Sequence, residues 1–460
     1  MQIEPRFSGK NVTVVGLGIE GIDLVRYLTK QGANVIVSDS RQEKDLTEQI
    51  KSISDCSPTL SLGKNRSKQM MSSEIIFVSQ GVHQNAPFLN TARKNGIEIS
   101  SMSKLFLQIC PVDVTAITGS SGKTTTTSLL DKILTKSKIN HLTGGNIGIG
   151  LLGLLEDITP DSRILIELSH TQLETIDTSP QLSCVTNVTP NHLDRFSWES
   201  YVDLKRRIFE FQNIKDTVIF NFDNKICREF SNEAIGNVVY TSKKQNLEKD
   251  GVYLQDQKVY ALLRQEKLPI INVSDIPLPG AHNIDNVLAA SALALQMGVS
   301  SEEINEGILN FKGVPHRLES IAIKSGVLYV NDSIATTPER TIAGINSFKQ
   351  PIVIILGGRD KNLPLNEMAN LINLRCRSVI TFGEASELYA KSIIDADHQS
   401  PPTIDQVESV SDAVITAQKR AKSGDVVLFS PAGTSFDAFR TFEERGFSFA
   451  DAVLQIGKNF

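Results

Sequence analysis

Three α/β modules in series are the fold that the sequence predicts, and two observations predict it. The chain has 460 residues, and at about 150 residues per domain this length corresponds to three domains. Short β-branched runs alternate with helical patterns, which is typical of strands and crossover helices in parallel sheets. The alternation begins near the N-terminus and restarts around Pro111 and after Phe311.

The composition is that of a globular protein. Hydrophobic residues make up 40% of the chain and charged residues 22%, which excludes a disordered or fibrous chain. No apolar run approaches the ~18–20 residues of a membrane helix, and no secretory signal is present, so we expect a cytoplasmic protein without membrane insertion. The net charge of −5 argues against nucleic-acid binding. The five cysteines form no CxxC pair, which indicates free thiols in a reducing compartment.

The first module begins with a βαβ pattern. Residues 12–16 and 34–38 read as strands on either side of a helical segment, and residues 75–78 read as another buried strand. The run Gly16-Leu-Gly18-Ile-Glu-Gly21, followed by Asp39 after the next strand, matches a dinucleotide fingerprint. Three interpretations stay open at this point: a nicotinamide cofactor, another nucleotide such as UDP, or tight strand–helix packing.

The second module carries the strongest motif. The strand predicted over 114–118 leads into Thr118-Gly119-Ser120-Ser121-Gly122-Lys123-Thr124-Thr125. Glycines let backbone N–H groups turn toward a phosphate, the helix N-terminus adds its dipole, and the lysine reaches the terminal phosphates. The full Walker pattern has a glycine where this chain has Ile117, so the motif is the shorter GxxGK[ST] form. We interpret it as a nucleotide-binding loop.

Other segments carry polar side chains whose role the local pattern leaves open. Glu167 ends a predicted strand over 163–167, and His192 follows another over 182–186. These side chains are compatible with metal binding at the carboxyl edge of a sheet, and equally with solvated or core positions. Lys205, on the following helix, reads locally as a solvated lysine. Charged and β-branched residues alternate over 243–273, which predicts a small antiparallel excursion.

In the third module, strands are predicted over 328–330, 352–356, 379–382 and 426–429. Two turns follow these strands and carry charged or hydroxyl side chains: Gly357-Gly-Arg-Asp-Lys361 and Ser430-Pro-Ala-Gly-Thr-Ser435. The first turn is compatible with a site for a phosphate or a carboxylate. The segment Gly280-Ala-His-Asn283-Ile-Asp-Asn286 has amides that are suited to a purine edge or to helix capping.

Taken in chain order, these segments resemble the Mur ligases, ATP-dependent enzymes that build peptidoglycan precursors for the cell wall. The collinear motifs are GLGIEG, SQGV from Ser79, GSSGKTT, GGNIG from Gly144, ELSHTQL from Glu167, NHLDR, GAHNIDN, PHR from Pro315, NDS from Asn331, LGGRDK and SPAGTSFDAFRTFEERGFSF. Within the family, the N-terminal glycine pattern and the stretch 430–449 are most similar to the branch that adds D-glutamate.

The resemblance implies a fold and a reaction. It implies a Rossmann-like UDP-binding domain over 1–103, a central P-loop-type ATPase domain over 104–313, and a Rossmann-like amino-acid-binding domain over 314–460. ATP would phosphorylate the carboxylate of UDP-N-acetylmuramoyl-L-alanine, and the amine of D-glutamate would attack the acyl phosphate. Two magnesium ions would support the transfer. We expect a cytoplasmic monomer.

The resemblance also assigns roles to residues. Lys123, His192 and Lys205 would be catalytic, and Thr124, Glu167, His192 and Lys205, as a carbamate, would hold magnesium. The residues expected to bind ATP are Gly119, Ser120, Ser121, Gly122, Lys123, Thr124, Thr125, Asn283, Asn286, Arg317 and Asp332. Those expected to bind the UDP substrate are Gly18, Asp39, Ser40, Arg41, Gly81, Asn146, Ser169 and Gln172. Those expected to bind the amino acid are Thr336, Lys361, Ser435 and Phe442.

The chain departs from the usual family pattern at a few positions. Gln80 replaces a proline, His170 and Thr171 replace the usual Ser-Phe pair, and Ile334 replaces the lysine of NDSKAT. Other functions therefore stay open beside D-glutamate addition. The amino acid could be another one, such as L-glutamate, or the protein could be a non-catalytic nucleotide-binding relative. A nicotinamide-dependent oxidoreductase would leave the GSSGKTT loop without a role.

Overall fold

The computed structural model describes residues 6–63, 70–191, 196–278, 280–396 and 401–457. Within these ranges the strands form three sheets, and the chain divides into two compact units. The described parts of Met1–Ile276 and Ile284–Asn310 form the first unit, which holds the first two sheets. Pro277–Asn283 and the described part of Phe311–Phe460 form the second unit. The predicted α/β fold is confirmed, whereas the three domain boundaries stay a prediction.

The first sheet is parallel, with strand order β3-β2-β1-β4-β5. Its strands are β1 (Asn11–Val15), β2 (Asn34–Asp39), β3 (Thr59–Leu62), β4 (Ile75–Val78) and β5 (Glu98–Ser100). The helices of this region are α1 (Ile19–Lys30), α2 (Thr47–Ser52), α3 (Pro87–Lys94) and α4 (Met102–Ile109). A side chain at Gly21 would collide with the Gly16 carbonyl, so the glycines of the first motif let α1 pack directly on the turn after β1.

The second sheet has the order β14-β13-β12-β11-β10-β9-β6-β8-β7. Its strands are β6 (Val114–Thr118), β7 (His141–Gly145), β8 (Arg163–Glu167), β9 (Leu182–Val185), β10 (Thr217–Asn221), β11 (Asn237–Ser242), β12 (Gly251–Gln255), β13 (Lys258–Leu263) and β14 (Glu266–Asn272). The pairs β12–β13 and β13–β14 are antiparallel, which confirms the predicted excursion. The accompanying helices are α5 (Lys123–Lys136), α6 (His170–Leu173), α7 (Trp198–Glu210), α8 (Lys225–Phe230), α9 (His282–Gln296) and α10 (Ser301–Leu309).

The register of β6 positions the chemistry of this sheet. Ile117 lies opposite Glu167 of β8 on one side, and Thr118 lies opposite Val185 of β9 on the other. These strands are parallel, so their carboxyl ends meet at one edge of the sheet, where ligands bind in open α/β sheets. The GSSGKTT loop leaves β6 at this edge, beside Glu167.

The third sheet has the order β15-β16-β20-β17-β18-β19, with β15 antiparallel to the rest. Its strands are β15 (Glu319–Lys324), β16 (Val327–Asn331), β17 (Ile352–Gly357), β18 (Cys376–Phe382), β19 (Thr403–Gln406) and β20 (Val426–Ala432). The helices are α11 (Pro338–Asn346), α12 (Asn366–Arg375), α13 (Ser386–Ile394), α14 (Val410–Arg420) and α15 (Phe442–Gln455). Alternate residues of β17 enter two separate hydrophobic clusters, because helices cover both faces of a parallel sheet.

Within the first unit, the two sheets are joined by contacts of α1. The Asp23 carboxylate accepts hydrogen bonds from the backbone N–H groups of Leu152 (2.7 Å) and Gly153 (2.9 Å). Burial raises the pKa of Asp23, and these N–H groups oppose that shift. Across the described residues, no helix is both long enough and apolar enough to span a membrane.

Candidate active site

The phosphate loop between β6 and α5 is held in an open, glycine-dependent conformation. Gly122 has φ of +81°, and a side chain there would collide with the Asn286 amide. Lys123 donates from Nζ to the Gly119 carbonyl at 2.9 Å, so its ammonium lies over the loop. Because α5 begins at Lys123, the positive end of the helix dipole faces the same space. The geometry suits a bound polyphosphate.

Three residues that sequence reasoning missed hold the loop from outside. Asn187 accepts from the Ser121 backbone N–H and donates to the Ser121 carbonyl, both at 3.1 Å. The Tyr201 hydroxyl contacts Ser120 Oγ at 3.0 Å, and the Thr186 hydroxyl donates to the Ser121 carbonyl at 2.6 Å. These contacts leave the loop little freedom to rearrange. No local sequence signal marks them, because they come from strand and helix ends that only the fold brings close.

Lys205 is fully buried on α7, beside the phosphate loop. Its Nζ donates to Thr118 Oγ1 at 3.0 Å and lies 5.4 Å from the centre of the Tyr201 ring. Burial lowers the pKa of Lys205 well below its usual value, the Lys123 charge lowers it further, and Glu167 opposes the shift. The local expectation of a solvated lysine is therefore wrong, because α7 packs against the sheet with this face inward.

Glu167 ends β8 as a fully buried carboxylate. Its Oε1 accepts from the Asn146 side-chain amide at 2.7 Å, whereas its Oε2 has no hydrogen-bond partner among the described residues. A buried carboxylate oxygen without a donor is costly unless a cation binds it. The residues therefore fit a hard divalent cation such as Mg²⁺, which prefers oxygen ligands.

Within the described ranges, no three His, Cys, Asp or Glu side chains cluster as a metal site on their own. Mg²⁺ in nucleotide sites usually keeps waters and binds through one or two carboxylates together with substrate phosphates. Thr124, the predicted hydroxyl ligand, lies in the first turn of α5, next to Lys123. His192, the other predicted ligand, lies outside the described residues.

The amides predicted to read adenine lie at the start of α9. Asn283 and Asn286 are both buried, and Asn286 Oδ1 accepts from the Thr126 hydroxyl at 3.3 Å. Asn286 is also the residue that a side chain at Gly122 would strike. It therefore contacts the phosphate loop and its helix, a position that the sequence did not reveal. Adenine binding by the two amides stays a prediction, as does the role of Thr125.

At the carboxyl edge of the first sheet, the buried carboxylate of Asp39 forms an ion pair with the half-exposed guanidinium of Arg41. Asp39 accepts from the Leu17 backbone N–H at 2.8 Å, and from the Arg41 backbone at 2.9 Å and its guanidinium at 2.8 and 3.1 Å. Burial alone would raise the pKa of Asp39, but the Arg41 and backbone donors outweigh it and lower the pKa. Asp39 thus holds Arg41, whose side chain stays half-exposed beside the exposed Gly18 and Ser40.

The departures from the family pattern near α6 contact each other. Gln80 Oε1 accepts from Ser169 Oγ (3.1 Å) and Thr171 Oγ1 (3.4 Å), and its Nε2 donates to Glu20 Oε1 at 2.9 Å. Gln172, which forms a capping box with Ser169, donates to the same Glu20 oxygen at 2.7 Å. Two of the residues that depart from the family pattern, Gln80 and Thr171, are therefore joined by a hydrogen bond between the regions of the first two sheets. Gly81 follows Gln80 with open space where a side chain would lie.

Asp332 is buried inside the second unit. It accepts from the Leu318 backbone N–H at 3.2 Å and from the Ser430 hydroxyl at 2.8 Å. Burial raises the pKa of Asp332 to about 7, although these donors and the charges of Arg317 and Arg340 lower it in part. The nucleotide-binding roles of Asp332 and Arg317 stay predictions.

This raised pKa predicts a pH-dependent stability. Between the usual value of 3.8 and about 7, unfolding releases the proton of Asp332, so its contribution is full below that range and is lost as pH rises to 7. In Asp332→Asn, the fall in the free energy of unfolding between pH 5 and pH 7 should be smaller by roughly 1 kcal/mol per pH unit. Urea unfolding at several pH values measures this, and equal slopes in both proteins would contradict it.

Three of the four residues predicted to bind the amino acid, Thr336, Lys361 and Ser435, lie on turns at the carboxyl ends of β16, β17 and β20. Lys361 donates from Nζ to Thr336 Oγ1 at 3.3 Å. Ser435 follows β20 and is buried, and Phe442 begins α15. The sequence thus predicted residues that share one edge of this sheet.

Arg445, which sequence reasoning missed, ties these turns together. It is fully buried and donates to Ser333 Oγ (3.0 Å), the Ser333 carbonyl (2.8 Å) and the Gly433 carbonyl (3.0 Å). Burial lowers the pKa of Arg445 to about 10. Since it binds both the turn after β16 and the turn after β20, it sets the spacing between them.

Three family models match the chain in succession. The model described as the Mur ligase MurD-like, N-terminal domain matches residues 10–101. The model described as the Mur ligase middle domain matches residues 117–294, and that described as the Mur ligase, glutamate ligase domain matches residues 316–433.

Curated relatives match over nearly the whole chain. The UDP-N-acetylmuramoylalanine–D-glutamate ligase of Acetivibrio thermocellus is 38% identical over 456 residues, which cover 98% of this chain and 97% of the relative. The ligase of the same name from Koribacter versatilis is 38% identical over 452 residues, 98% of each chain.

Solved structures share the fold. The UDP-N-acetylmuramate–alanine ligase MurC of Thermotoga maritima aligns with a TM-score of 0.58 at 17% identity, over 97% of this chain and 100% of that one. A pseudomurein peptide ligase type C of Methanothermus fervidus aligns with a TM-score of 0.54 at 20% identity, over the same shares.

Proposed function

The chain belongs to the Mur ligases, and within them to the UDP-N-acetylmuramoylalanine–D-glutamate ligases, and from this membership we propose that it joins D-glutamate to UDP-N-acetylmuramoyl-L-alanine at the expense of ATP. The reaction is a step of peptidoglycan precursor synthesis. ATP and nucleotide-linked precursors are cytoplasmic, so the cytoplasm is its proposed compartment. We propose a monomer.

One observation carries the proposal: a phosphate loop with its lysine lies beside a buried carboxylate, one oxygen of which accepts no hydrogen bond from the described residues. The loop and Glu167 leave adjacent parallel strands, and Glu167 Oε2 has no hydrogen-bond partner among the described residues. This is the arrangement expected of a site that binds a magnesium–nucleotide complex and transfers its terminal phosphate.

The residues of the chain would divide the work as follows. An amine cannot displace oxide from a carboxylate, so phosphorylation to an acyl phosphate supplies the leaving group. Lys123 and the N-terminus of α5 would stabilise the charge of the transferred phosphate. Thr124 and Glu167 would hold one magnesium ion, and His192 with a carbamylated Lys205 would hold a second. When bound, magnesium would neutralise phosphate charge and align the reacting oxygens.

In the first domain, the contacts of Asp39 support UDP rather than NAD. In a dinucleotide site the acid after the second strand binds the ribose hydroxyls. Both Asp39 oxygens already accept from Leu17 and Arg41. The carboxylate instead presents Arg41, a cation suited to an anionic nucleotide. Gly18, Ser40 and Gly81 would lie along the same ligand, with Asn146, Ser169 and Gln172 toward the muramoyl-alanine.

The deciding experiment measures phosphate release from ATP with UDP-N-acetylmuramoyl-L-alanine and one amino acid at a time. We expect release with D-glutamate and little release with D-alanine or a diamino acid. Equal or better release with L-glutamate would reassign the amino acid. Absence of release with every amino acid would favour a non-catalytic relative.

Lys361→Ala should raise the KM for glutamate at least tenfold while the KM for ATP stays within about twofold. The reason is that removing a cation from a carboxylate leaves that carboxylate desolvated without its charge-assisted bond. Initial rates at varied glutamate and varied ATP measure both constants. An unchanged KM for glutamate would remove Lys361 from the acceptor site.

A further inference from the structure

Two cations converge on one short turn of the second unit. Ile334, Ala335 and Thr336 form this turn after β16, and we call it the acceptor turn. Arg340 donates from Nη1 to the Ile334 carbonyl at 2.9 Å, and Lys361 donates from Nζ to Thr336 Oγ1 at 3.3 Å. The Thr336 backbone N–H donates to the same Ile334 carbonyl at 2.9 Å. The guanidinium of Arg340 and the ammonium of Lys361 therefore both contact the acceptor turn.

The two cations influence each other electrostatically. Burial lowers the pKa of Lys361, and the charge of Arg340 lowers it further, whereas Glu339 opposes the shift. Among the described ion pairs, neither Lys361 nor Arg340 takes part in one. Two like charges that are held close together, neither of them in a described ion pair, favour binding of an anion.

A neighbouring arginine shows the contrast. Arg359 lies two residues before Lys361, and its Nε and Nη2 each donate to the Glu384 carboxylate at 2.8 Å. Its charge is thus neutralised within the protein. Lys361, on the same turn, and Arg340 lack such a partner in the part of the chain that the structure describes. Arg359 therefore belongs to a structural ion pair, whereas Lys361 and Arg340 are cations that can bind a ligand.

The helix that carries Arg340 adds to the positive potential. α11 begins at Pro338, and its N-cap residue Thr337 makes no side-chain capping bond. Backbone N–H groups at such an end carry a partial positive charge. Arg340 lies in this first turn of α11, where the helix dipole favours an anion and Glu339 contributes one negative charge.

We propose that Arg340 is a second carboxylate-binding residue of the acceptor site, which takes the α-carboxylate of the amino acid while Lys361 takes its side-chain carboxylate. This inference rests on the proposed function and adds to it the basis for selecting an amino acid with two carboxylates. The planar guanidinium can bind a carboxylate with two parallel bonds. Arg340 thereby supplies, from α11, a cation to the turn where this chain has Ile334 in place of the usual lysine.

The test compares three amino acids in Arg340→Ala, in Lys361→Ala and in Arg340→Lys. The reference acceptor is the glutamate enantiomer that the wild type uses. The matching enantiomer of glutamine lacks the side-chain charge, and 4-aminobutyrate lacks the α-carboxylate. Arg420→Ala is a matched control, because Arg420 is a half-exposed arginine on α14 that pairs with Asp405. Phosphate release at varied acceptor and varied ATP gives each KM.

In Arg340→Ala, the KM for glutamate should rise about ten- to a hundredfold, as loss of a charged hydrogen bond predicts. The KM for ATP should stay within twofold, and the preference for glutamate over glutamine should persist. Lys361→Ala should lose that preference. We expect little activity with 4-aminobutyrate, and Arg340→Ala and the wild type should use it equally poorly. The KM for glutamate in Arg340→Lys should lie between the values of the wild type and Arg340→Ala. A lysine keeps the positive charge but cannot make the two parallel hydrogen bonds of a guanidinium.

Three results would overturn the assignment, and failure of this inference alone is distinguishable from failure of the proposed function. If the wild type releases phosphate with glutamate but Arg340→Ala, shown to be folded by its thermal unfolding midpoint, keeps the same KM for glutamate, Arg340 is not in the acceptor site. An equal rise of the KM for ATP in that variant would also exclude Arg340 from a specific role there. If the wild type itself shows no glutamate-dependent release, the proposed function fails together with this inference.

Discussion

Replacing Lys123 by alanine should lower kcat by at least a hundredfold while the protein stays folded. The ammonium lies over the phosphate loop, within 2.9 Å of the Gly119 carbonyl, where it can stabilise charge on the transferred phosphate. Loss of one such preorganised contact typically costs about 10²–10³ in kcat. Single-turnover phosphate release, with both substrates saturating, measures the change directly.

The loop should keep its shape without the lysine. Gly122 at φ +81° and the Asn187 contacts to Ser121 hold the backbone. Lys136→Ala, at the exposed end of the same helix, is the matched control and should retain wild-type kcat. Near-normal turnover in a folded Lys123→Ala protein would exclude the phosphate loop from the mechanism.

The fold could be predicted where the signal is local. The strands over 75–78, 114–118 and 163–167 agree with the structure residue for residue, because β-branched runs buried on both faces contrast sharply with their surroundings. The short edge strands Glu98–Ser100 and Thr403–Gln406 were missed. They are polar and three or four residues long, so pairing with a neighbour, rather than composition, makes them strands.

The sequence predicted which motifs form the candidate site, but it did not predict the hydrogen bonds between their side chains. The phosphate loop is one continuous segment whose glycines and lysine act on the same ligand. By contrast, Asn146 was expected along the substrate, and the sequence did not predict that its side-chain amide also donates to Glu167. The network of Glu20, Gln80 and Gln172 joins residues 60 to 152 positions apart. Such pairings depend on how the first two sheets meet, which no local pattern specifies.

The Arg445 contacts illustrate the same limit in the third sheet. An arginine in an amphipathic helix predicts a solvent-exposed side chain, yet this one is fully buried and satisfied by Ser333 and Gly433. The tertiary fold supplies carbonyls and a hydroxyl that offset the desolvation cost of its charge. The resemblance to a family identified the turns after β16 and β20. The structure identified Arg445 as the residue that links the two turns.

Lys205→Ala should be nearly inactive, with kcat reduced by about a hundredfold or more, as removal of a metal-holding group from a phosphoryl-transfer site predicts. A carbamate forms from carbon dioxide and an uncharged amine. The Lys205 amine is fully buried, and burial together with the Lys123 charge lowers its pKa well below the usual value. The uncharged form is therefore favoured, and the carbamate that results would be an anionic oxygen ligand close to Lys123.

The carbamate can be tested apart from turnover. Wild-type protein prepared with ¹³C-bicarbonate should show one protected carbamate carbon by NMR, and Lys205→Ala should not. A short-chain carboxylic acid, such as acetate, should restore part of the activity of Lys205→Ala by placing a carboxylate in the vacated space. Lys225→Ala, an exposed lysine on α8, should match the wild type in both measurements. A bare Lys205 amine in the active complex would exclude the carbamate, and normal turnover of Lys205→Ala would exclude any catalytic role of this lysine.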